Sequence, residues 1–97
     1  MTIENLPNTI KMLQNFRFNL VKLRMAKNYT QVQLAEKLDK NRQAIYDWET
    51  GKCLPNGENL LKICLVFMVS LEDLLATEID TKKLEALWSA DLKELAA

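Results

Sequence analysis

The sequence predicts an all-α fold, and three observations support this. Apolar residues recur every three or four positions through most of the chain, which is the periodicity of helices with one buried face. Glycine and proline are scarce, two of each, and they fall between the periodic segments. Side chains that cap helix N-termini, such as Thr30 and Ser70, stand at the starts of several segments. The 97 residues, 48% of them hydrophobic, are enough for one compact domain.

The first periodic segment runs from about residue 8 to residue 27. Asn8 or Thr9, directly after Pro7, can cap its start, and Asn28 can end it in a left-handed conformation. The pattern fits either one long helix or a short helix that leads into a second. Its apolar stripe consists of Ile10, Leu13, Phe16, Leu20 and Leu23.

Two short helices are predicted between Thr30 and Gly51. Thr30 and Gln33 have the spacing of a capping box at the start of the first of them. A turn over residues 39–41 follows, and Gly51 ends the second helix, which begins at Arg42. The predicted buried side chains of this pair are Leu34, Ala35, Leu38, Ile45 and Trp48.

Three further helices complete the prediction. Asn56 caps a fourth helix from about residue 58 to residue 68, Ser70 caps a short fifth, and Asp80 or Thr81 starts a sixth. The sixth is amphipathic, because apolar residues fall at helical spacing in LEALWSADLKEL. We therefore divide the chain into an N-terminal extension (1–15, helical from about residue 8), a domain (16–77) and an amphipathic C-terminal helix (78–97).

Composition argues against several classes of function. No apolar run approaches the length of a membrane span, and the N-terminus lacks the features of a secretory signal, so a cytoplasmic protein is expected. Cys53 and Cys64 do not have metal-ligand spacing and the chain has no histidine, so neither a metal nor another cofactor is expected. The sequence offers no Gly-rich phosphate loop and no nucleophile with a partner base, so it does not predict an enzyme.

The charges are unevenly distributed along the chain, although the net charge is zero. Residues 22–52 contain seven Lys and Arg residues against four Asp and Glu residues, a net charge of +3. Residues 53–97 contain four basic residues against eight acidic ones, a net charge of −4. An asymmetry of this kind suggests one face for an anionic partner and another face for something else.

The stretch from Thr30 to Gly51 has the plan of a helix-turn-helix, because two short helices are joined by a three-residue turn. The second helix buries two residues and turns its other face outward. Its exposed side chains are of the types that read base edges, since Arg suits guanine, Gln suits adenine and Asp can accept from cytosine. The predicted base-contacting residues are Arg42, Gln43, Tyr46 and Asp47.

From Arg24 to Leu75 the chain resembles the DNA-binding domain of the phage repressor and Cro type, also called the xenobiotic-response-element family. The matching segments are LVKLRMAKNYTQVQLAEKL, NRQAIYDWETGK, a single proline, ENLLKI and VSLEDLL, in the family's order and with its gaps. The resemblance implies a five-helix, lambda-repressor-like all-α domain that binds operator DNA, normally as a dimer.

The resemblance also implies roles for residues outside the base-reading face. Gln31, the first residue of the helix that Thr30 caps, is similar to the family's glutamine that donates to a phosphate. In the family, the N-terminus of this helix points at the DNA backbone. Arg24 and Glu49 correspond to a charged pair that ties the first helix to the third. The phosphate-contacting residues that the resemblance implies are Gln31, Lys40, Asn41 and Lys52.

Several residues depart from the family's pattern. Asp39 stands in the turn where the family usually has glycine, and a left-handed conformation there carries a cost. Met68 replaces the glycine that normally ends the fourth helix in the family, so the resemblance does not fix where that helix ends. Asp47 stands where a neutral or basic residue is more usual, and its charge repels phosphate. Leu65 and Val66, together with Met68, make the fourth helix apolar nearly all round, so we expect another element to cover it.

The terminal extensions are the candidates for that cover. The C-terminal helix either packs on its own domain or packs against a second copy of the chain, and its tryptophan is a suitable anchor in both cases. The candidate residues for packing or dimerisation are Leu65, Val66, Met68, Leu84, Trp88 and Leu92.

Two functions are consistent with these features. The first is a sequence-specific DNA-binding regulator of transcription, a repressor that occludes a promoter by binding a double-stranded DNA operator as a homodimer. The alternative is a protein-interaction module, an antitoxin or antirepressor that binds another protein through its fourth helix and terminal helices. Salt dependence distinguishes them, because phosphate binding weakens steeply with salt and burial of an apolar face does not.

Overall fold

Six α-helices follow one another in the computed structural model, which describes the backbone of residues 6–96 and the side chains of residues 8–90. Within that part of the chain there is no strand, and the predicted all-α fold is confirmed. The helices are α1 (Leu6–Ala26), α2 (Gln31–Lys37), α3 (Arg42–Thr50), α4 (Gly57–Phe67), α5 (Leu71–Ala76) and α6 (Thr81–Ala96).

The first helix is one uninterrupted helix of 21 residues, so the structure favours the first of the two predicted alternatives. It begins at Leu6, two residues before the predicted start. Phe16, Leu20 and Leu23 are fully buried on its inner face, whereas Ile10 and Leu13 continue the same stripe at the exposed N-terminal end. The predicted division at residue 15 therefore falls inside α1, at the point where its stripe enters the core.

Side-chain caps start the four middle helices. The caps at Thr30, Asn56 and Ser70 were predicted, whereas Asn41 was predicted only as part of the turn. Thr30 Oγ1 accepts from the amide of Gln33, and Gln33 Oε1 accepts from the amide of Thr30, which forms the predicted capping box. Asn41, Asn56 and Ser70 each accept from the amide three residues ahead, at 3.0 Å. These oxygens satisfy backbone donors that have no partner within the helix, which explains why such short helices start at defined positions.

Three non-glycine residues take left-handed backbone conformations, and all three lie just after helices. They are Asn28 (φ 58°), Asp39 (φ 56°) and Met68 (φ 57°). The predicted helix stop at Asn28 is confirmed. Asp39 and Met68 adopt the left-handed conformation that glycine takes most readily, so each carries an energetic cost.

Substituting Met68 with glycine is expected to raise the free energy of unfolding by about 1 kcal/mol, because glycine adopts a left-handed conformation without a Cβ clash. The Met68 residue is 42% exposed, so the substitution also loses some apolar burial, and an alanine variant measures that loss separately. Urea denaturation measures the change. Met68→Ala is the matched control, since it removes the side chain but retains the Cβ, and it should not stabilise. A less stable Met68→Gly variant would mean that the side chain contributes more than the strain costs.

The core lies between α1 and the other five helices. Asn19 is a buried polar residue of α1 that the sequence analysis did not single out. Its Nδ2 donates to the carbonyls of Leu74 (2.8 Å) and Thr77 (2.7 Å), and its Oδ1 accepts from the amide of Ile79 (3.1 Å). It therefore joins α1 to the end of α5 and to the link before α6. The buried apolar residues are Phe16, Leu20, Leu23, Leu34, Ala35, Leu38, Ile45, Trp48, Ile63, Phe67, Leu74, Ile79 and Trp88.

The C-terminal helix packs on its own domain. It begins at Thr81, and Asp80 Oδ1 accepts from the amide of Lys82 at 3.0 Å, so Asp80 supplies the cap. Trp88 is 9% exposed, and its Nε1 donates to the carbonyl of Phe67 at 3.0 Å. Lys27 Nζ lies 4.6 Å from the centre of a Trp88 ring. Trp88 thus has the intramolecular position that was one of the two predictions for it.

The other candidate packing residues divide into two groups. Leu84 and Val66 are partly buried and pack against the core. Leu65 is 78% exposed and Met68 is exposed, so the described side chains of α6 do not cover this side of α4 as the sequence led us to expect. Leu92 belongs to residues 91–97, whose side chains lie outside those that the structure describes.

Candidate nucleic-acid interface

The second and third helices form a closely packed pair joined by a short turn. Leu34 and Ala35 of α2 and Ile45 of α3 are buried in the core that the pair shares. The amide of Lys40 donates to the carbonyl of Ala35 at 2.8 Å and closes the turn behind the left-handed Asp39. The pair therefore has the arrangement of a helix-turn-helix, in which α3 presents its outer face to solvent.

The four predicted base-contacting residues lie together on that outer face as two neighbouring pairs. Arg42, Gln43 and Tyr46 are exposed, and Asp47 is partly exposed. The Arg42 guanidinium carbon lies 5.8 Å from the centre of the Tyr46 ring, a cation–π distance. Gln43 Nε2 donates to Asp47 Oδ1 at 2.9 Å. The two residues of each pair are four positions apart in the sequence, the separation at which side chains on one helix meet.

The predicted phosphate-contacting residues flank this face on both sides. Lys40 and Asn41 precede α3, and Lys52 follows the glycine that ends it. Among the described side chains, neither lysine forms an ion pair, so both ammonium groups are available to an anion. Asn41 already uses its Oδ1 to cap α3, accepting from the amide of Ala44 at 3.0 Å, which leaves its amide nitrogen for a contact with DNA.

The remaining predicted phosphate contact, Gln31, is fixed by a buried ion pair. Its Nε2 donates to Glu49 Oε1 at 3.0 Å. The same carboxylate accepts from Arg24 Nε at 2.6 Å and from Arg24 Nη2 at 3.1 Å, and the Glu49 side chain is only 6% exposed. Arg24 Nη1 also donates to the carbonyl of Tyr29 at 3.0 Å. The charged pair that the resemblance implied is therefore present, and it links α1, α2 and α3.

One further residue at this surface escaped the sequence analysis. Arg17 Nη1 donates to the carbonyl of Thr50 at 3.3 Å, at the C-terminal end of α3. The next residue, Gly51, has a φ of 81°, and a Cβ placed on it would lie 3.1 Å from Arg17 Nη1. Glycine is therefore favoured at this position for two reasons, its backbone conformation and the close approach of the arginine. The contact spans 33 residues, and local periodicity carries no signal for it.

Outside α2 and α3, three findings on the described residues bear on possible function. Residues whose placement is described include no group of His, Cys, Asp and Glu side chains that could hold a metal ion. Burial raises the pKa of the Cys64 thiol, and the group lies on α4 outside the predicted interface. No helix within the described range is long and apolar enough to cross a membrane.

Comparison with known proteins agrees with this geometry. The helix-turn-helix family model matches residues 20–74, from the C-terminal part of α1 into α5. The chain is also similar to the HTH-type transcriptional activator BcrR of Enterococcus faecalis, with 48% identity over 63 residues. That match covers 65% of this chain and 31% of the activator, so the chain spans about a third of that protein's length. No solved structure matches. Since the family model covers more than half of the chain, the protein belongs to the helix-turn-helix family of the Cro/C1 type.

Proposed function

We propose that this protein is a sequence-specific DNA-binding regulator of transcription that reads the major groove with α3. The observation that carries the proposal is the outer face of that helix, where four side chains able to contact base edges stand clear of the core. A structural helix does not require Arg and Gln at the start of its exposed face. Recognition helices of this kind contact bases chiefly through their N-terminal residues, which here are Arg42 and Gln43.

Phosphate contacts would set the register of this helix in the groove. Gln31 and Asn41 stand at the N-termini of α2 and α3, where backbone amides and the helix dipole favour an anion. The exposed Lys40 and Lys52 add charge on either side of α3. Contacts of this type supply affinity without sequence information, whereas the face of α3 supplies discrimination.

We also propose that the protein binds DNA as a homodimer. Two copies related by a twofold axis can read half-sites about one helical turn apart, roughly 34 Å. Leu61 and Leu65 give α4 an exposed apolar side, and Met68 is exposed at its C-terminal cap. Leu65 and Met68 were candidate dimer residues from the sequence. Trp88 and Leu84 do not serve this purpose in the proposal, since both pack against their own core.

The regulatory outcome we propose is repression, by occlusion of a promoter that overlaps the operator. This mechanism requires only that the protein binds DNA, because a bound protein blocks access to the promoter. The similar region of BcrR belongs to a protein named as an activator, so the direction of the effect needs its own test. A reporter gene placed behind the operator should fall in expression when the protein is supplied, and a rise would contradict repression without affecting DNA binding.

The first experiment is selection of duplexes from a random DNA pool with the purified protein at moderate salt, followed by sequencing. The proposal predicts an enriched palindrome with half-sites about one turn apart. Enrichment of a single half-site would retain the DNA-reading function and contradict the dimer. Retention without any shared sequence would contradict the function itself.

A second candidate function is a protein-interaction module, and the exposed side of α4 favours it. Leu61 is 60% exposed and Leu65 is more exposed still, and the two lie one turn apart on α4. Such an apolar surface suits a partner protein as well as a second copy. The two functions differ in salt dependence, because binding through phosphates weakens by orders of magnitude between 50 and 200 mM salt. A partner captured equally well over this range would favour the protein-interaction module.

Substituting Arg42 with alanine is expected to weaken binding to the selected operator roughly tenfold and to relax the sequence preference at one base pair, since one bidentate contact is worth about 1–3 kcal/mol. The side chain is exposed, so the melting temperature should stay unchanged. Fluorescence anisotropy with operator and scrambled duplexes measures both affinities. Lys52→Ala is the control, because it should weaken binding to both duplexes alike. Unchanged affinity for the operator in Arg42→Ala would remove this residue from the base-reading set.

A further inference from the structure

The hydrogen bond between Gln43 and Asp47 imposes an orientation on the glutamine. An ionised carboxylate only accepts hydrogen bonds, so it must face the NH2 end of the Gln43 amide, as it does at 2.9 Å. The carbonyl end, Oε1, then faces away. A glutamine without such a neighbour can rotate its amide by half a turn and exchange its donor and acceptor. Asp47 therefore determines which end of the Gln43 amide donates and which end accepts.

The groups left over on Gln43 match what one base offers. One N–H is used by Asp47, and one N–H and the Oε1 acceptor remain. Adenine presents one acceptor, N7, and one donor, the N6 amino group, in the major groove. A glutamine in this orientation can donate to N7 and accept from the N6 amino group at once. If the amide is rotated by half a turn, Oε1 faces N7 and Nε2 faces the N6 amino group, so neither hydrogen bond forms.

Arg42, in the pair that it forms with Tyr46, does not need a neighbour to fix which of its groups donate. The Arg42 guanidinium carries only donors, so no partner is needed to order its polarity, and Tyr46 contacts it through the face of a ring. Gln43 is thus the residue on this face whose reading depends on a neighbour. Asp47 is also the less exposed member of its pair and lies one turn farther along α3, away from the end that enters the groove most deeply in this type of domain.

We propose that Asp47 is a positioning residue, which orients Gln43 to read an adenine and makes no base contact of its own. The inference rests on the proposed function and refines it, because the sequence analysis placed Asp47 among the base-contacting residues. The two assignments differ in a measurable way. A carboxylate that accepts directly from cytosine specifies a base pair of its own, whereas a carboxylate that orients Gln43 acts on the base pair that Gln43 reads.

The experiment compares the base preferences of variants along one half-site. Each base pair of the selected operator is changed in turn, and the affinities of the wild type, Gln43→Ala and Asp47→Asn are measured. Gln43→Ala should lose roughly tenfold discrimination at one A·T pair. Asp47→Asn should lose discrimination at the same pair, because an asparagine amide can donate or accept and no longer orders its neighbour. Its affinity for scrambled DNA should rise, since a negative charge near the phosphates has been removed.

Two controls separate positioning from a general disturbance. The double variant Gln43→Ala/Asp47→Asn should lose no more discrimination at this pair than Gln43→Ala alone, because Asp47 acts only through Gln43. Arg42→Ala should affect a different base pair, and its effect should add to that of Asp47→Asn. Circular dichroism spectra should be the same for all variants, since the substituted side chains lie on the outer face of α3.

Two results would overturn the inference alone. In the first, Asp47→Asn alters the preference at a base pair different from the one that Gln43→Ala affects, which would mean direct contact by Asp47. In the second, Asp47→Asn retains the full preference at the Gln43 pair, which would mean that the hydrogen bond is not used in reading. A wild-type protein without any base preference would instead overturn the proposed function, and the inference with it.

Discussion

Arg24→Ala is expected to lower the free energy of unfolding by about 3 kcal/mol, because it leaves a buried carboxylate without its cation. Glu49 is almost completely enclosed and accepts two hydrogen bonds from the arginine. Without them, Gln31 is the remaining side chain that donates to it, and a neutral amide compensates little for a desolvated charge. Urea denaturation followed by circular dichroism measures the loss.

A double variant distinguishes the effect of an isolated charge from the value of the ion pair. Arg24→Met/Glu49→Leu removes both charges and retains side-chain volume, so it should recover much of the stability that the single substitution loses. If Arg24→Ala costs less than about 1 kcal/mol, then water reaches the carboxylate and the pair behaves as a surface ion pair. The double variant should also free Gln31 from Glu49, which permits a separate measurement of its effect on DNA affinity.

Trp88→Ala is expected to destabilise the protein by about 3 kcal/mol, since it removes a buried ring and leaves a cavity beside Phe67. The ring centres of these two residues lie 6.5 Å apart, and the indole N–H satisfies the Phe67 carbonyl near the end of α4. Thermal and urea denaturation measure the change. Leu87→Ala is the matched control on the adjacent position, because that side chain is 46% exposed and should change stability by less than about 1 kcal/mol.

The same variant tests whether Trp88 acts within one chain. Sedimentation equilibrium should give the same molecular mass for Trp88→Ala and the wild type under conditions where both are folded. A variant with unchanged unfolding but a lower mass would assign Trp88 to an interface between copies instead. The fluorescence of a Trp48→Phe variant, in which Trp88 is the remaining tryptophan, offers an independent check, because a Trp88 ring packed in the core should be poorly accessible to a dissolved quencher.

Features that depend on neighbouring residues were predictable from the sequence. The capping oxygens of Thr30, Asn56 and Ser70 bond within three residues, and their spacing is visible in the sequence. The left-handed Asn28 follows from an apolar stripe that stops just before it. The outer face of α3 was found by elimination, since burial of Ile45 and Trp48 leaves only one side for the other residues.

Two features that depend on distant residues were not predicted, whereas the distant Arg24–Glu49 pair was implied only by the family resemblance. Asn19 reads as an ordinary polar residue beside an apolar stripe, and its partners lie 55 to 60 positions away. The attachment of Trp88 to the Phe67 carbonyl depends on where α6 lies, which its own periodicity does not specify. The bond between Gln43 and Asp47 is a different case, because its four-residue spacing could have been recognised in the sequence.

The three hydrogen bonds of Asn19 have a consequence for local unfolding. They join the middle of α1 to the last turn of α5 and to Ile79, which lies in no helix. A peripheral helix with few long-range bonds can open locally, at a small free-energy cost. Opening that starts in α6 must instead break the Ile79 bond and expose a buried amide before it can spread into α5. The link between the two helices therefore opens cooperatively with the core and not together with a local opening of α6.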